Sequence, residues 1–319
     1  MRTPLTTDPH PPTRARLVAA YLVIYLVWGS TYLFIKMAVA HVPPLLAGAL
    51  RHGSAGAALF LWARAHGART PTWREWGVAV LVGALLLGFG NGMVNVAVQR
   101  VPSGLAALVV SSVPIWMVIV EWCRPRGSAP RGRVVVGLVL GMIGIGALVW
   151  SAGGLGGSVA ATAATVWSCG ALLVGSLSWA VGSIAARHLR RHPHSLLSAS
   201  MEMSSAGVLL LAASALSGET RGFTFGSVSA TSWWALGYLI AFGSIVGFTS
   251  YTWLLRVSTP AKVATYAYVN PLVAVALGAA FGGERLSRGT LVAAALILGA
   301  VVMITLPPRA ALRQVFRAR

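Results

Sequence analysis

Residues 41–56 read HVPPLLAGALRHGSAG, and residues 192–207 read HPHSLLSASMEMSSAG. Aligned at an offset of 151 positions, the two stretches share His41/His192, Leu45/Leu196, Leu46/Leu197 and Ser54-Ala55-Gly56/Ser205-Ala206-Gly207. Trp28 and Trp179 match at the same offset. Further on, Pro114 aligns with Pro271 at offset 157 and Gly141 with Gly299 at offset 158. The gain of six falls in the longer loop at 218–232. Random coincidence of Gly, Ala and Leu does not produce paired Trp and His in unbroken order. The chain is therefore one unit written twice.

The composition says what that unit is. Of 319 residues, 56% are hydrophobic and 10% are charged. Mean hydropathy is +0.75. Soluble domains carry about 25% charged residues, and a globule this size could not cover itself with so few. Disorder needs low hydrophobicity and is excluded by the same numbers. Ten apolar runs stand out: 17–39, 45–63, 76–98, 103–123, 134–151, 168–187, 195–217, 233–255, 261–283 and 289–307. Each approaches the roughly 20 residues that a spanning helix needs. They are solid rather than alternating, which argues against a transmembrane barrel. Five runs per unit is an odd number, so the second unit enters the membrane from the opposite face.

The formal net charge of +19 first suggests nucleic acid. That reading needs the charges on one face, whereas here they punctuate the runs. Nineteen Lys and Arg fall in the tails and the even-numbered loops, against four in the odd-numbered loops (Arg100, Arg221, Arg285 and Arg288). The positive-inside rule then places both termini in the cytoplasm. Arg14 and Arg16 before an apolar stretch, with Ala38-Val39-Ala40 after it, also resemble a signal peptide. The length of the run, Lys36 inside it and its partner in the second unit favour a retained helix. Cys123 and Cys169 fall near opposite faces and give no disulfide framework.

Trp28-Gly29-Ser30-Thr31-Tyr32-Leu33-Phe34-Ile35-Lys36 resembles the opening of EamA-type members of the drug/metabolite transporter superfamily. So does Pro44-Leu45-Leu46 followed by Arg51. In the second unit, Tyr268-Val269-Asn270-Pro271 and Gly283-Glu284-Arg285-Leu286-Ser287 are similar to that family's ninth helix and the turn after it. The place after the fourth run departs from the family's Gly-Glu-Arg turn and reads Cys123-Arg124-Pro125-Arg126-Gly127. The resemblance implies ten helices, export or exchange, and a cavity lined chiefly by helices 1, 3, 4, 6, 8 and 9. It also implies a structural role for Arg51.

Candidate binding residues follow from depth and chemistry. Trp28 and Trp179 fall at mid-run, not at the interface where Trp prefers to sit. Pro114 and Asn270-Pro271 fall at equivalent depth, and a proline frees carbonyls, so Pro114 and Pro271 are expected helix breaks. Asn91 and Asn95 in the third run, and Tyr251 among the polar group Thr249–Thr252 in the eighth, need partners in lipid. Tyr32, Trp116 and Tyr266 add aromatic surface at similar depth. Together these make a mostly apolar pocket with a few polar groups, the usual form of a small-molecule site. Glu202 is the one carboxylate deep in a run and the candidate for proton coupling, although it can equally bond only its neighbours. Arg51 holds the equivalent position in the first unit, but inversion puts the two at different depths. His188, His192 and His194 cluster beside Arg190 and Arg191 and read as a solvated basic loop. Gly-x-x-x-Gly pairs such as Gly88/Gly92 and Gly278/Gly282 read as helix packing, one of them a candidate homodimer face.

The expectation is an all-α integral membrane protein with ten transmembrane helices as two inverted five-helix repeats, 17–151 and 168–307. A tail at 1–16 and a basic tail at 308–319 lie in the cytoplasm, and the membrane is the plasma (inner) membrane. It is expected to be a secondary transporter, not an enzyme, that exports or exchanges a small neutral, zwitterionic or weakly cationic metabolite, amino acid or drug by alternating access. No cofactor, metal or nucleic acid enters this reading. The competing classes are a membrane enzyme or a flippase acting on a lipid-linked substrate.

Overall fold

The computed structural model describes residues 12–101, 106, 109–125, 127, 129–151, 163–282 and 288–305. Among them, ten helices follow one another: α1 (Arg14–Ala38), α2 (Pro44–Ala65), α3 (Trp73–Ala97), α4 (Val113–Cys123), α5 (Gly132–Ser151), α6 (Ala163–His188), α7 (Ser195–Ser217), α8 (Ala230–Val257), α9 (Tyr266–Gly282) and α10 (Arg288–Thr305). Five of these are long and apolar enough to cross a membrane, and shorter apolar helices join them. Apolar side chains such as Leu33, Leu61, Val139, Val174 and Val208 stand more than half exposed. So extensive an apolar surface belongs in lipid. Trp73, Trp167 and Trp234 are exposed at helix ends, on both faces, where indoles anchor to headgroups.

Local chemistry sets the helix ends. Thr72 and Glu75 form a capping box at the start of α3, and Ser229 caps α8 by accepting from Ser232 N. α2 opens on Pro44, whose missing N–H is no loss in a first turn. The N–H groups of Leu45 and Leu46 donate to the Glu219 carboxylate, at 3.4 and 2.8 Å. A residue just past α7 thus caps a helix of the first repeat. α7 ends on Gly218 with φ 72°, a conformation that favours glycine.

The contacts reveal a pseudo-two-fold. α2 packs on its counterpart α7, and α5 on its counterpart α10; the remaining contacts come in related pairs, α1 with α8 and α9 matching α6 with α3 and α4. The self-related pairs run antiparallel. Gly48 meets Leu210, Gly53 meets Gly207 and Gly56 meets Ser204. Along α5, Gly137 meets Ile304 and Gly144 meets Ile297. Antiparallel equivalent helices are what an inverted repeat requires.

Two features of the helices differ from the expectation. Pro114 lies in the first turn of α4, after a break at Ser111-Ser112. Pro271, expected to break its helix, lies inside a continuous α9. The Ala267 carbonyl that it deprives of a donor accepts instead from Ser111 Oγ at 2.9 Å, so the helix runs on. The interruption sits earlier, at Ala264-Thr265, after a short turn at Pro260–Val263. Beyond that, α3 and α8 each widen to π-helix, at Ala84–Asn91 and Leu239–Phe248, in matching places at offset 157.

The α2–α7 crossing makes an asymmetric prediction. A Cβ on Gly207 would lie 2.6 Å from Gly53 Cα, whereas a Cβ on Gly53 would meet only Gly207 Cα at 3.9 Å. Gly207→Ala should destabilise the detergent-solubilised protein by about 1–3 kcal/mol, the cost of overpacking. Gly53→Ala should leave its melting temperature close to the parent's. Thermal unfolding of the two variants side by side checks this.

Candidate functional site

Four aromatic rings meet where the repeats cross. Trp28 packs edge-on to Trp179 with centroids 5.6 Å apart, edge-on to Tyr266 at 4.8 Å, and tilted against Tyr251 at 5.0 Å. Tyr251 also lies 5.4 Å from Trp179 and 5.7 Å from Tyr266. The two indoles sit in equivalent niches: Trp28 lies against Gly247 and Trp179 against Gly90, glycines that match at offset 157. Both glycines belong to the π-helical regions. Buried indole N–H groups need acceptors. Trp28 Nε1 donates to the Gly243 carbonyl at 3.0 Å, and Trp179 Nε1 to Tyr251 Oη at 2.8 Å. Ser183 Oγ lies 2.5 Å from the same Tyr251 oxygen.

Above this cluster, in the half of the bundle away from the termini, lies a partly open cavity. Trp28, Trp179 and Tyr266 form its floor. Tyr32, Asn91 and Asn270 face it, with Leu87, Val94, Val110 and Val113 as apolar wall. Asn270, with its amide oriented to donate, bonds the Tyr266 carbonyl at 2.9 Å and the Tyr25 carbonyl at 3.3 Å, and so ties α9 to α1.

Arg51 and His52 also line the cavity. Arg51 is 5% exposed. Its Nε donates to Ser244 Oγ at 2.9 Å, and its Nη1 is buried with no partner. His52 Nδ1 lies 3.4 Å from Ser244 Oγ, and its Nε2 lies 3.3 Å from Asn91 Oδ1. A neutral His52 that donates from Nε2 and accepts at Nδ1 satisfies both contacts.

Below the floor, on the termini side, polar contacts bind the helix ends together. Tyr21 bonds Ser258 at 2.7 Å and Tyr25 bonds Thr265 at 2.6 Å. Arg187 Nη1 donates to the Leu255 carbonyl at 3.0 Å and also to the Ser258 carbonyl. Arg256 donates to the His192 and Pro193 carbonyls at 2.9 and 2.8 Å. Arg191 pairs with Glu202 at 3.1 Å, where both are almost wholly buried. Burial pushes the His192 imidazole pKa down from its ordinary value. The loop histidines are engaged separately, His188 with Glu121 at 3.2 Å and His194 as the cap of α7.

Of the residues singled out from sequence, Trp28, Tyr32, Asn91, Trp179, Tyr266 and Asn270 line the cavity. Tyr251 sits just beneath, as support for Trp179. Three others are placed elsewhere. Asn95 is one residue past Val94, which turns it toward α2, where it bonds the Pro44 carbonyl at 3.3 Å. Trp116 is one turn deeper than Val113 and packs into the core below the floor. Glu202 lies outside the cavity in its pair with Arg191, so it does not touch a ligand there. Arg51 and His52 were absent from the candidate set. Their visible signal was a charge inside a span, the default mark of function in a membrane.

Comparison with known proteins agrees with this architecture. The chain is 39% identical over 291 residues to the uncharacterized inner membrane transporter YedA of Escherichia coli (strain K12), covering 91% of this chain and 90% of that one. It is 27% identical to the uncharacterized transporter YvbV of Bacillus subtilis (strain 168), covering 94% of each. A solved structure described as "Crystal structure of protein" superposes with a TM-score of 0.72 at 22% identity, over 92% of this chain and 97% of its own, and shares the fold. The EamA-like transporter family profile matches twice, at residues 16–150 and 166–306. With both repeats matched across nearly its whole length, the chain belongs to the EamA-like transporter family.

Proposed function

We propose that this transporter moves a small amphipathic molecule, neutral or zwitterionic, outward across the inner membrane by alternating access, and that its termini are cytoplasmic. One observation carries the reading. The cavity lies at the crossing of two inverted repeats, the place where secondary transporters bind substrate. Its apolar and aromatic wall suits an organic body, and Asn91, Asn270 and Tyr32 suit a few polar groups. Weakly cationic substrates fit less well than composition suggests, because Arg51 stands in the wall and the lining residues include no acid. An enzyme acting on a lipid-linked substrate would need its acid and base at the membrane surface, whereas this cavity lies deep within the bundle.

The asymmetry of the repeats supports a defined conformational state. Val94 lines the cavity, and its counterpart at offset 157 is Tyr251, which fills the equivalent volume on the termini side. Asn91 is likewise matched by Phe248, which is buried. Arg187, Arg191 and Arg256 lace the termini side, while their counterparts Lys36, Ala40 and Gln99 are exposed. The state seen is therefore closed toward the termini.

Two measurements test this. A Thr224→Cys variant should react with an impermeant maleimide on intact cells, and native Cys123 only after lysis, since the two lie on opposite faces; the reverse pattern inverts the orientation. Metabolite profiling of medium and cytosol, with and without the protein, supplies the substrate for liposome assays. There, Trp28→Ala, Trp179→Ala and Asn270→Ala should each lower transport about tenfold or more while the protein still inserts. Trp116→Phe should stay near the parent rate. Normal transport by all three alanine variants would move the site elsewhere.

A further inference from the structure

A buried guanidinium inside a membrane protein ordinarily has a carboxylate beside it, because the unpaired charge is costly. The chain has only six acidic residues to offer. Glu75 is paired with Arg69 at the start of α3. Glu121 faces Arg124 and His188. Glu202 is held by Arg191, and Glu219 caps α2. Asp8 and Glu284 lie outside the described residues. Each of the four described acids thus has its own partner, and none is Arg51. Arg51 also cannot withdraw to the interface as a terminal lysine does. It stands seven residues into α2, about 10 Å along the helix, with Nε fixed on Ser244 and its Nη2 close against Gly243, whose added Cβ would lie 2.8 Å away.

We propose that Arg51, flanked by His52 and Asn91, is an anion subsite at the wall of this cavity, and that it receives the carboxylate of a substrate whose apolar or aromatic body lies on Trp28, Trp179 and Tyr266. The inference rests on the reading of the cavity as the transport site and departs from it in charge: the substrate carries a carboxylate, as a zwitterion or a monoanion, and is not a neutral molecule. Three observations converge. Nη1 is buried and lacks an acceptor. The guanidinium fork matches a carboxylate geometrically. Nε, His52 and Asn91 already satisfy one another through Ser244 and Asn91 Oδ1, so the side chain is held in place before a ligand arrives. The lining residues offer an ammonium group no acid. A plain arylalkyl carboxylate therefore binds at least as well as its amino-acid analogue. A single guanidinium suits one negative charge, not a phosphate dianion.

The test uses a matched trio of probes on the purified full-length protein in nanodiscs: 3-phenylpropionate, 3-phenylpropanamide and 3-phenylpropylamine. All share the same aromatic body. Titration calorimetry should show the carboxylate binding at least about tenfold more tightly than the amide, the scale of one charge-assisted hydrogen bond, with the amine weakest. Arg51→Gln should abolish that difference. Arg51→Lys, which keeps the charge but loses the fork, should retain only part of it. If Arg51→Gln does not fold, the order of the trio on the parent still decides. Equal affinity for carboxylate and amide overturns the subsite while leaving the cavity reading intact. No binding by any of the three overturns both. Sodium chloride in place of the carboxylate separates a second source of anion. Millimolar chloride that displaces 3-phenylpropionate from the parent would mark a halide counterion site and overturn the substrate assignment.

Discussion

Trp28 and Trp179 meet edge to face where the two repeats cross, and much of the remaining architecture follows from accommodating them. Two indoles at that depth need room and acceptors, and water supplies neither. Room comes from Gly247 and Gly90, where an added Cβ would lie 2.5 and 3.0 Å from the two indoles. Acceptors come from the Gly243 carbonyl and the Tyr251 hydroxyl. The glycines stand in π-helical stretches of α3 and α8, where an extra residue per turn widens the backbone; such bulges collect at functional sites. In this way a contact between α1 and α6 dictates the shape of the two helices beside them.

Near-symmetry followed by its deliberate breaking explains the site. The backbone obeys the two-fold, while the side chains do not. Where the first repeat has Asn91 and Val94 beside the cavity, the second has Phe248, which reaches the cavity wall from beneath, and Tyr251, which is wholly buried below the floor. Where the second repeat ends α6 and α8 in a lattice of arginines bonded to carbonyls, the first has Lys36 and Gln99 facing outward. One fold can thus hold a closed layer on one side and a cavity on the other. The inverted repeat makes the opposite arrangement geometrically available, which is the basis of alternating access.

The sequence was legible where physics is local or repeats itself. Hydropathy alone located nine of the ten helices to within about five residues, whereas the fourth run, 103–123, is broken at Ser111-Ser112 and its helix begins at Val113; the 41–56 and 192–207 stretches exposed the inversion. The paired tryptophans, placed at the wrong depth for interface anchors, pointed to the cavity. Other features are invisible to periodicity. A π-helix shifts the angular register of everything after it, so Asn91 and Asn95 could not be assigned faces from spacing. Pro271 looked like a break because its lost hydrogen bond shows in the sequence, whereas its replacement by Ser111 is a tertiary contact. Arg51 and Glu202 occupy equivalent positions and looked alike. Only the structure shows that the second has Arg191 and that no carboxylate among the described residues pairs with the first.

Alternating access requires the two faces of one pseudo-symmetric bundle to open in turn. Spin labels report it directly when placed at exposed positions at the helix ends of each face: Arg190 and Thr259 on the termini side, Ala40 and Gln99 on the other. A transported substrate should lengthen the 190–259 distance in part of the population and shorten the 40–99 distance in that same part. Distances that stay fixed under turnover, or that lengthen together, would contradict it.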